Sequence, residues 1–527
     1  MLDVVIIGAG HNGLVAAAFL AKAGLKPLVL ERADRVGGCA ITGEIAPGFR
    51  CPTLSHRAAI DRGVMHALGL QRHGLRILRP EALVGAPAAD GRWLTVWADT
   101  ARAQGDIAAF SPRDAERYPA FLASLAATSG VLRGLLAAGA PPLDDPSARD
   151  FITLLKAARG FRALGRKNAY RLLRWLPMAV ADLAQEWFES EPLRAVVAAG
   201  GVLGSFVGPR SAGSAAVLLA LSAGEGQPVA PGWAAQGGPG AISAAIAAAA
   251  REAGAEIRTD ADVRQVAVDN GVATGVVLAS GELIDARFVV SNADPRRTLL
   301  GLVDPVHLGP EFVGRLERIR MRGTIAKVNF ALSGLPRFKG LAAADESVQR
   351  AALSGCIRLA RNTDALERAF DAAKYGGFAD EPWIELAIPS IADPDLAPSG
   401  RHVLSAYVQF APFVLRGTTW DLERDRLGDA ATRTIATFAP GFEETVVARH
   451  VITPLDLERT YGLTGGHPFH GELAIDQLLS ARPLLGWARY RTPIRNLYLC
   501  GSGTHPGTGL DGRSGALAAK EILKASG

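Results

Sequence analysis

Cysteine is scarce in this chain of 527 residues: Cys39, Cys51, Cys356 and Cys500 are the only four, and they lie far apart. That excludes a disulfide framework, and the lack of any Cys-x-x-Cys leaves no zinc or thiol-exchange motif. No apolar run approaches the roughly 20 residues that span a bilayer, and no basic leader precedes the strand-like VVIIG near the N-terminus. The expectation is a cytoplasmic protein in a reducing compartment, at most peripheral on a membrane. Positive charge exceeds negative only to a formal net of +5, without the aromatic-interleaved basic cluster that grips nucleic acid. Internal repeats and low-complexity segments are also missing. What remains is 49% hydrophobic and 21% charged, ample for a packed interior, at a length that asks for two cores or one large core with insertions.

Glycine is where the chain is rich. Gly8, Gly10 and Gly13 form G-x-G-x-x-G after the apolar run Val4 to Ile7 and before a helical LVAAAFLAKAG that Gly24 stops. In a strand-turn-helix unit the first glycine allows the turn, the second lets a pyrophosphate approach the backbone, and the third lets helix and strand pack closely. The free N–H groups and positive dipole end of the helix suit the phosphates. A second strand, KPLVLE, ends in Glu31, whose carboxylate can accept both ribose hydroxyls and disfavours a 2'-phosphate. Past that strand, Gly37 and Gly38 in ERADRVGGCAIT offer side-chain-free backbone to a second part of a long cofactor, for which a simple NAD domain has no use. A plain turn is the alternative at that pair.

The fold class expected is α/β. A Rossmann-like dinucleotide domain is assembled from residues 1–74, 228–300 and 487–527, with a substrate domain inserted as 75–227 and 301–486. The first insertion reads as helical and irregular. The stretch PGWAAQGGPG introduces an alanine-rich helix, followed by a small antiparallel meander of AEIRTDADVRQVAVD, ATGVVLA and ARFVVSNA. The second insertion alternates strands such as TIAKVNFAL, WIELAIPS and HVLSAYVQF with helices such as ERDRLGDAATRTIATF.

Over nearly its whole length the chain resembles the phytoene desaturase-like flavoproteins, within the wider glutathione-reductase and amine-oxidase type of FAD fold. VVIIGAGHNGLVAA, VLERADRVGGCAIT, VVSNADPRRTLL, GGHPFHGELAIDQLL and LCGSGTHPGTG carry the likeness. Within that family the chain is most similar to the subgroup of pyridine nucleotide-disulphide oxidoreductase domain protein 2. The resemblance implies FAD in a Rossmann-like domain with an inserted α+β substrate domain. It implies an apolar, isoprenoid- or carotenoid-like substrate, hydride transfer at flavin N5, and an electron acceptor that it does not name.

The site it implies is Gly8, Gly10, His11, Asn12, Gly13, Glu31, Arg32, Gly37, Gly38, Cys39 and Ala40, with the Val263 backbone at the adenine and Gly501, Ser502, Gly509, Leu510 and Asp511 at the flavin. Both glycine-rich ends then serve one cofactor. The last helix, starting near Asp511, points its N-terminus at flavin N1 and O2, where the reduced ring gathers negative charge. Cys39 stands where many relatives of the wider fold carry an arginine, which removes a phosphate contact and leaves a covalent flavin link as an option.

No base for the proton declares itself. His505 and Lys327 are the first candidates for catalysis, because by resemblance their segments border the flavin; His467 and His470 are further ones. The last two lack a third ligand, so no metal is expected. Arg513 either approaches the flavin or faces solvent. Residues 151–176 carry seven Lys and Arg interleaved with leucine and phenylalanine and no carboxylate. They suit either a solvated helix or a basic amphipathic one lying on an anionic membrane. Two rivals stay open: an amine oxidase, whose aromatic cage Tyr407, Trp487 and Tyr490 would have to supply, and a flavin-carrying regulatory protein with a vestigial site.

Overall fold

The computed structural model describes residues 2–56, 60–140, 148–225 and 234–526. Part of PGWAAQGGPG lies outside them.

Val4, Val5 and Ile6 are wholly buried and Ile7 nearly so, as an apolar strand covered on both faces requires. Alternation sends Val4 and Ile6 to one side, against Leu14, Ile246 and Ile522 of three helices. Val5 and Ile7 go to the other, against Val266 and Val276 of the meander. The helices are His11–Lys22, Pro239–Glu252 and Arg513–Ser526, the first packed between the other two. The meander is the second layer.

This seven-stranded sheet runs in the order Val263–Asp269, Val272–Leu278, Leu283–Ser291, Leu2–Ile7, Pro27–Leu30, Glu256–Arg258. Leu283–Ser291 divides its length: its start pairs antiparallel with the meander, while its end lies parallel to the opening strand on one side and Leu497–Leu499 on the other. Sequence from both ends and the middle of the chain thus makes one parallel core. The expected run AEIRTDADVRQVAVD is broken. Asp260 adopts a positive φ of 53° and separates Glu256–Arg258, parallel to Pro27–Leu30, from Val263–Asp269.

A second seven-stranded sheet is mostly antiparallel, in the order Val446–Ile452, Ile325–Leu332, His402–Gln409, Ile384–Ala387, Cys356–Leu359, Ala82–Pro87, Trp93–Trp97. Its two long strands, Ile325–Leu332 and His402–Gln409, are buried along their whole length. The last two strands correct the expectation that residues 75–227 are helical. They form a hairpin in which the Trp93 ring covers Gly85, where a Cβ would stand 2.3 Å from the ring.

One described helix, Pro112–Ala137, is long and apolar enough to cross a membrane. Its N-terminus is capped by the Ser111 hydroxyl, which accepts from the Asp114 N–H at 3.1 Å, and Pro112 occupies the first turn. Phe121 and Leu125 belong to the main core, and the helix packs against Ser214–Glu225, so it reads as a core helix.

Candidate functional site

A cavity of about 530 Å³ opens where the C-terminal ends of the parallel strands face the second sheet, the usual place for a ligand in an open α/β fold. Glu31, at the end of Pro27–Leu30, is 7% exposed there. Its Oε2 accepts the Ala9 N–H at 2.8 Å and its Oε1 the Ala33 N–H at 3.0 Å. The carboxylate is therefore fixed in orientation at the point where a ribose would lie.

The two glycine-rich turns meet at Asn292, in the VVSNADP stretch. A Cβ on Gly10 would lie 2.5 Å from Asn292 Nδ2, and one on Gly501 would lie 2.5 Å from the Asn292 carbonyl oxygen. At Gly13 a Cβ would come within 2.2 Å of the Gly8 oxygen, which is why the opening helix can start so close to its strand. Asn12 ties the ends together. Its Nδ2 donates to Ser502 Oγ at 3.2 Å, and its Oδ1 accepts the Gly515 N–H at 3.3 Å.

Of the residues expected at the cofactor, Gly8, Gly10, His11, Glu31, Arg32, Gly37, Gly38, Cys39, Ala40, Val263, Ser502, Gly509 and Leu510 line this one cavity. Asn12, Gly13, Gly501 and Asp511 do not; the first three hold the turns against one another. Asp511 turns inward, accepting from Thr508 Oγ1 at 2.7 Å and from the Arg513 N–H at 2.8 Å, and burial pushes its carboxyl pKa up. Arg513 follows neither expected course: it is buried and paired with Asp61 at 2.7 Å.

The catalytic candidates are rearranged. His505 is wholly buried and off the cavity wall, with Nε2 at 2.8 Å from the Ala138 carbonyl; burial lowers its pKa to about 4. It ties the C-terminal glycine turn to the end of Pro112–Ala137. Lys327 is also wholly buried and does not line the cavity, although Ile325 and Asn329 on either side of it do. Its Nζ lies 3.3 Å from His56 Nδ1 and 4.1 Å from the centre of the Tyr407 ring. His56 Nε2 in turn is 3.5 Å from Glu385, which pairs with Arg358 at 2.9 Å. The lysine thus reaches the cavity through Tyr407, which does line it.

His467 and His470 separate. His467 is held to about 3 by burial, and its Nδ1 accepts the backbone N–H groups of Phe469 and Gly471 at 3.2 and 3.4 Å, so it shapes its loop. His470, at a φ of 54°, lines the cavity with an unpartnered Nδ1. Burial lowers its pKa and the Asp294 carboxylate opposes that. His11 lines the same wall with an unpartnered Nε2, and burial followed by the neighbouring His470 brings it to about 4. Both imidazoles are neutral at pH 7. Sequence reading missed Asn292 as a site residue; its signal was the specificity of VVSNADP itself. Burial pushes the Cys39 thiol pKa up, away from the thiolate that a covalent flavin link would need.

These features fit FAD. There is a fixed carboxylate for a ribose, a helix N-terminus for the pyrophosphate, glycine backbone at both ends, and two buried ring nitrogens awaiting partners.

Residues 13–523 match the family described as flavin containing amine oxidoreductase. The chain is 37% identical to pyridine nucleotide-disulfide oxidoreductase domain-containing protein 2 of Rattus norvegicus, over 99% of this chain and 93% of that protein. It is 25% identical to a limonene dehydrogenase chain of Castellaniella defragrans, over 100% and 95% of the two chains. With a lycopene-forming phytoene desaturase of Pseudescherichia vulneris it shares 27%, over 97% and 96%. Among solved structures, a putrescine oxidase redesigned in its cofactor binding superposes with a TM-score of 0.61 at 18% identity, covering 99% of each chain, which shows the shared fold. The geometry of the cavity and these likenesses agree: the chain belongs to the flavin-containing amine oxidoreductase family and is an FAD-dependent oxidoreductase.

Proposed function

We propose that the protein moves hydride between an apolar, isoprenoid-like substrate and the flavin. The observation that carries this reading is the failure of the amine cage. Of the three aromatic candidates, Trp487 packs on Phe312 at 5.4 Å, away from the cavity, and Tyr490 is buried with its hydroxyl on the His505 carbonyl at 2.8 Å. Tyr407 alone lines the cavity, and one face of its ring is already taken by the Lys327 Nζ. These three candidates therefore offer an amine no pair of free aromatic faces.

What the wall offers instead is Leu203, Leu221 and Phe469, which suit a hydrocarbon and exclude water. Bound FAD would supply the hydride acceptor at its N5. Leu203, Leu221 and Phe469 hold the hydrocarbon, and the neutral His470 Nδ1 takes or returns the accompanying proton. The names of two relatives, limonene dehydrogenase and phytoene desaturase, point to isoprenoid substrates for those proteins.

The test is anaerobic bleaching of the flavin. Micellar polyenes or terpenes are expected to remove the visible absorbance of the oxidised cofactor, or to restore it in photoreduced protein if the reaction runs toward saturation. Bleaching by primary amines alone would overturn the proposal.

A further inference from the structure

We propose that the helical hairpin Ala148–Ala163 and Gly165–Trp175 is a docking surface for an anionic phospholipid bilayer, with a lipid phosphate seated in the cationic cleft beside it. Three observations converge on this face.

The first is exposed apolar surface. Among the described residues, six of the fifteen exposed large hydrophobic side chains fall within residues 151–173: Phe151, Ile152, Leu154, Leu155, Tyr170 and Leu173, each 40–66% exposed. Such a concentration on one element marks a contact surface rather than the scattered apolar exposure of any protein.

The second is charge. Lys156, Arg159, Arg162, Arg166, Lys167 and Arg174 are exposed on the same hairpin, and no aspartate or glutamate occurs from residue 151 to 181. Long basic side chains set among exposed leucines can send their charged ends to headgroups while their stems lie on the acyl boundary. The complementary surface is negative and greasy at once, which describes an anionic bilayer better than a nucleic acid or an acidic peptide.

The third is a built cleft of about 400 Å³, lined by Arg117, Lys167, Arg171, Arg174, Tyr170 and Trp187. Glu186, the carboxylate in it, is engaged by Arg174. Arg171 is held in place by the Ser124 hydroxyl at 2.6 Å and lies over the Trp187 ring at 4.8 Å. Three cations are left over for a phosphate, beside a tyrosine and a tryptophan, ring types enriched where membrane meets water.

The position of the hairpin gives docking a use. Its helices pack on Pro112–Ala137, which packs on Ser214–Glu225, the helix whose Leu221 lines the cavity. Just beyond Pro112–Ala137, the Ala138 carbonyl meets His505 in the C-terminal glycine turn. Docking there would hold the membrane on the side of the molecule that carries the flavin end of the site, where a hydrocarbon substrate is needed. That use rests on the isoprenoid reading above; the docking itself does not.

The experiment is flotation of the FAD-loaded protein with vesicles of phosphatidylcholine alone or mixed with phosphatidylglycerol. Flotation with the mixed vesicles only, weakened by salt, is the expected result. A Phe151→Asp, Leu155→Asp double variant should abolish it, and an Arg166→Glu, Lys167→Glu double variant should weaken it about tenfold or more. All four positions are exposed, and an unchanged flavin spectrum certifies the fold. Equal flotation with both vesicle types would overturn the proposal. So would displacement by inorganic phosphate beyond that by chloride at matched ionic strength, which would mark a small-anion site, or loss in the variants of a dimer with no wild-type flotation. If polyenes fail to bleach the flavin while flotation persists, the substrate reading falls and the docking surface stands.

Discussion

The two sheets meet the same cavity with different parts of the chain. The parallel sheet presents backbone: glycines packed against Asn292, a helix N-terminus, and a single carboxylate fixed by two backbone N–H groups. The antiparallel sheet presents side chains from regular strands, Ile325, Asn329 and Tyr407, backed by the buried group of Lys327, His56, Glu385 and Arg358. Backbone recognition demands particular residues at fixed spacing, so it leaves a motif. Side-chain recognition needs only a strand position, and any residue can occupy one.

Substitutions on either sheet put this contrast at risk. The largest effect is expected at Gly13. A Gly13→Val change drives a side chain into the Gly8 oxygen and Asn292, and the protein should purify without flavin, as read from the ratio of visible to ultraviolet absorbance. On the other sheet, Glu385→Gln removes the charge partner of the buried Arg358 and should cost about 3–5 kcal/mol in denaturant unfolding. Retained FAD affinity in the folded fraction would confirm that the two sheets work separately; loss of flavin without loss of stability would contradict it.

Glu31→Gln should weaken FAD binding roughly tenfold to hundredfold in fluorescence titration of the apoprotein, because the fixed carboxylate loses its charge-assisted bonds. Of comparable size is the pH response of the buried histidines. His467 and His505 sit near 3 and 4 in the fold against 6.5 unfolded, so between those values the unfolded chain binds more protons. Stability is then fully present above pH 6.5 and falls as pH drops, by about 3 kcal/mol for each histidine at pH 4.5, checked by calorimetry. The least effect belongs to Cys39. With its thiol held protonated by burial, Cys39→Ser should leave flavin content unchanged, and denaturation should release all the flavin from both proteins into the supernatant.

How far the sequence could be read follows the same line. The opening strand, turn and helix, Glu31, the meander and the long central strands were legible because hydrophobic period and glycine spacing act locally. The hairpin of Ala82–Pro87 and Trp93–Trp97 was not, since two short strands surrounded by helical pattern acquire meaning only when Cys356–Leu359 pairs with them. His505 and Lys327 were misplaced for a related reason. Nearness in sequence to a flavin-binding turn or wall strand does not show what packs against a side chain: His505 meets the Ala138 carbonyl, and Lys327, on the strand face of Ile325 and Asn329, lies behind Tyr407 and beside His56.

The order of residues alone was enough to dictate that a dinucleotide is gripped: a pyrophosphate needs glycine backbone and a helix end, and few other arrangements serve. It took the folded chain to bring the first and last turns together on Asn292, to face His11 and His470 into the cavity while His467 and His505 turn away, and to scatter the candidate amine cage. Those outcomes depend on segments hundreds of residues apart coming into van der Waals contact, and burial, which sets both charge state and orientation, exists only once they have.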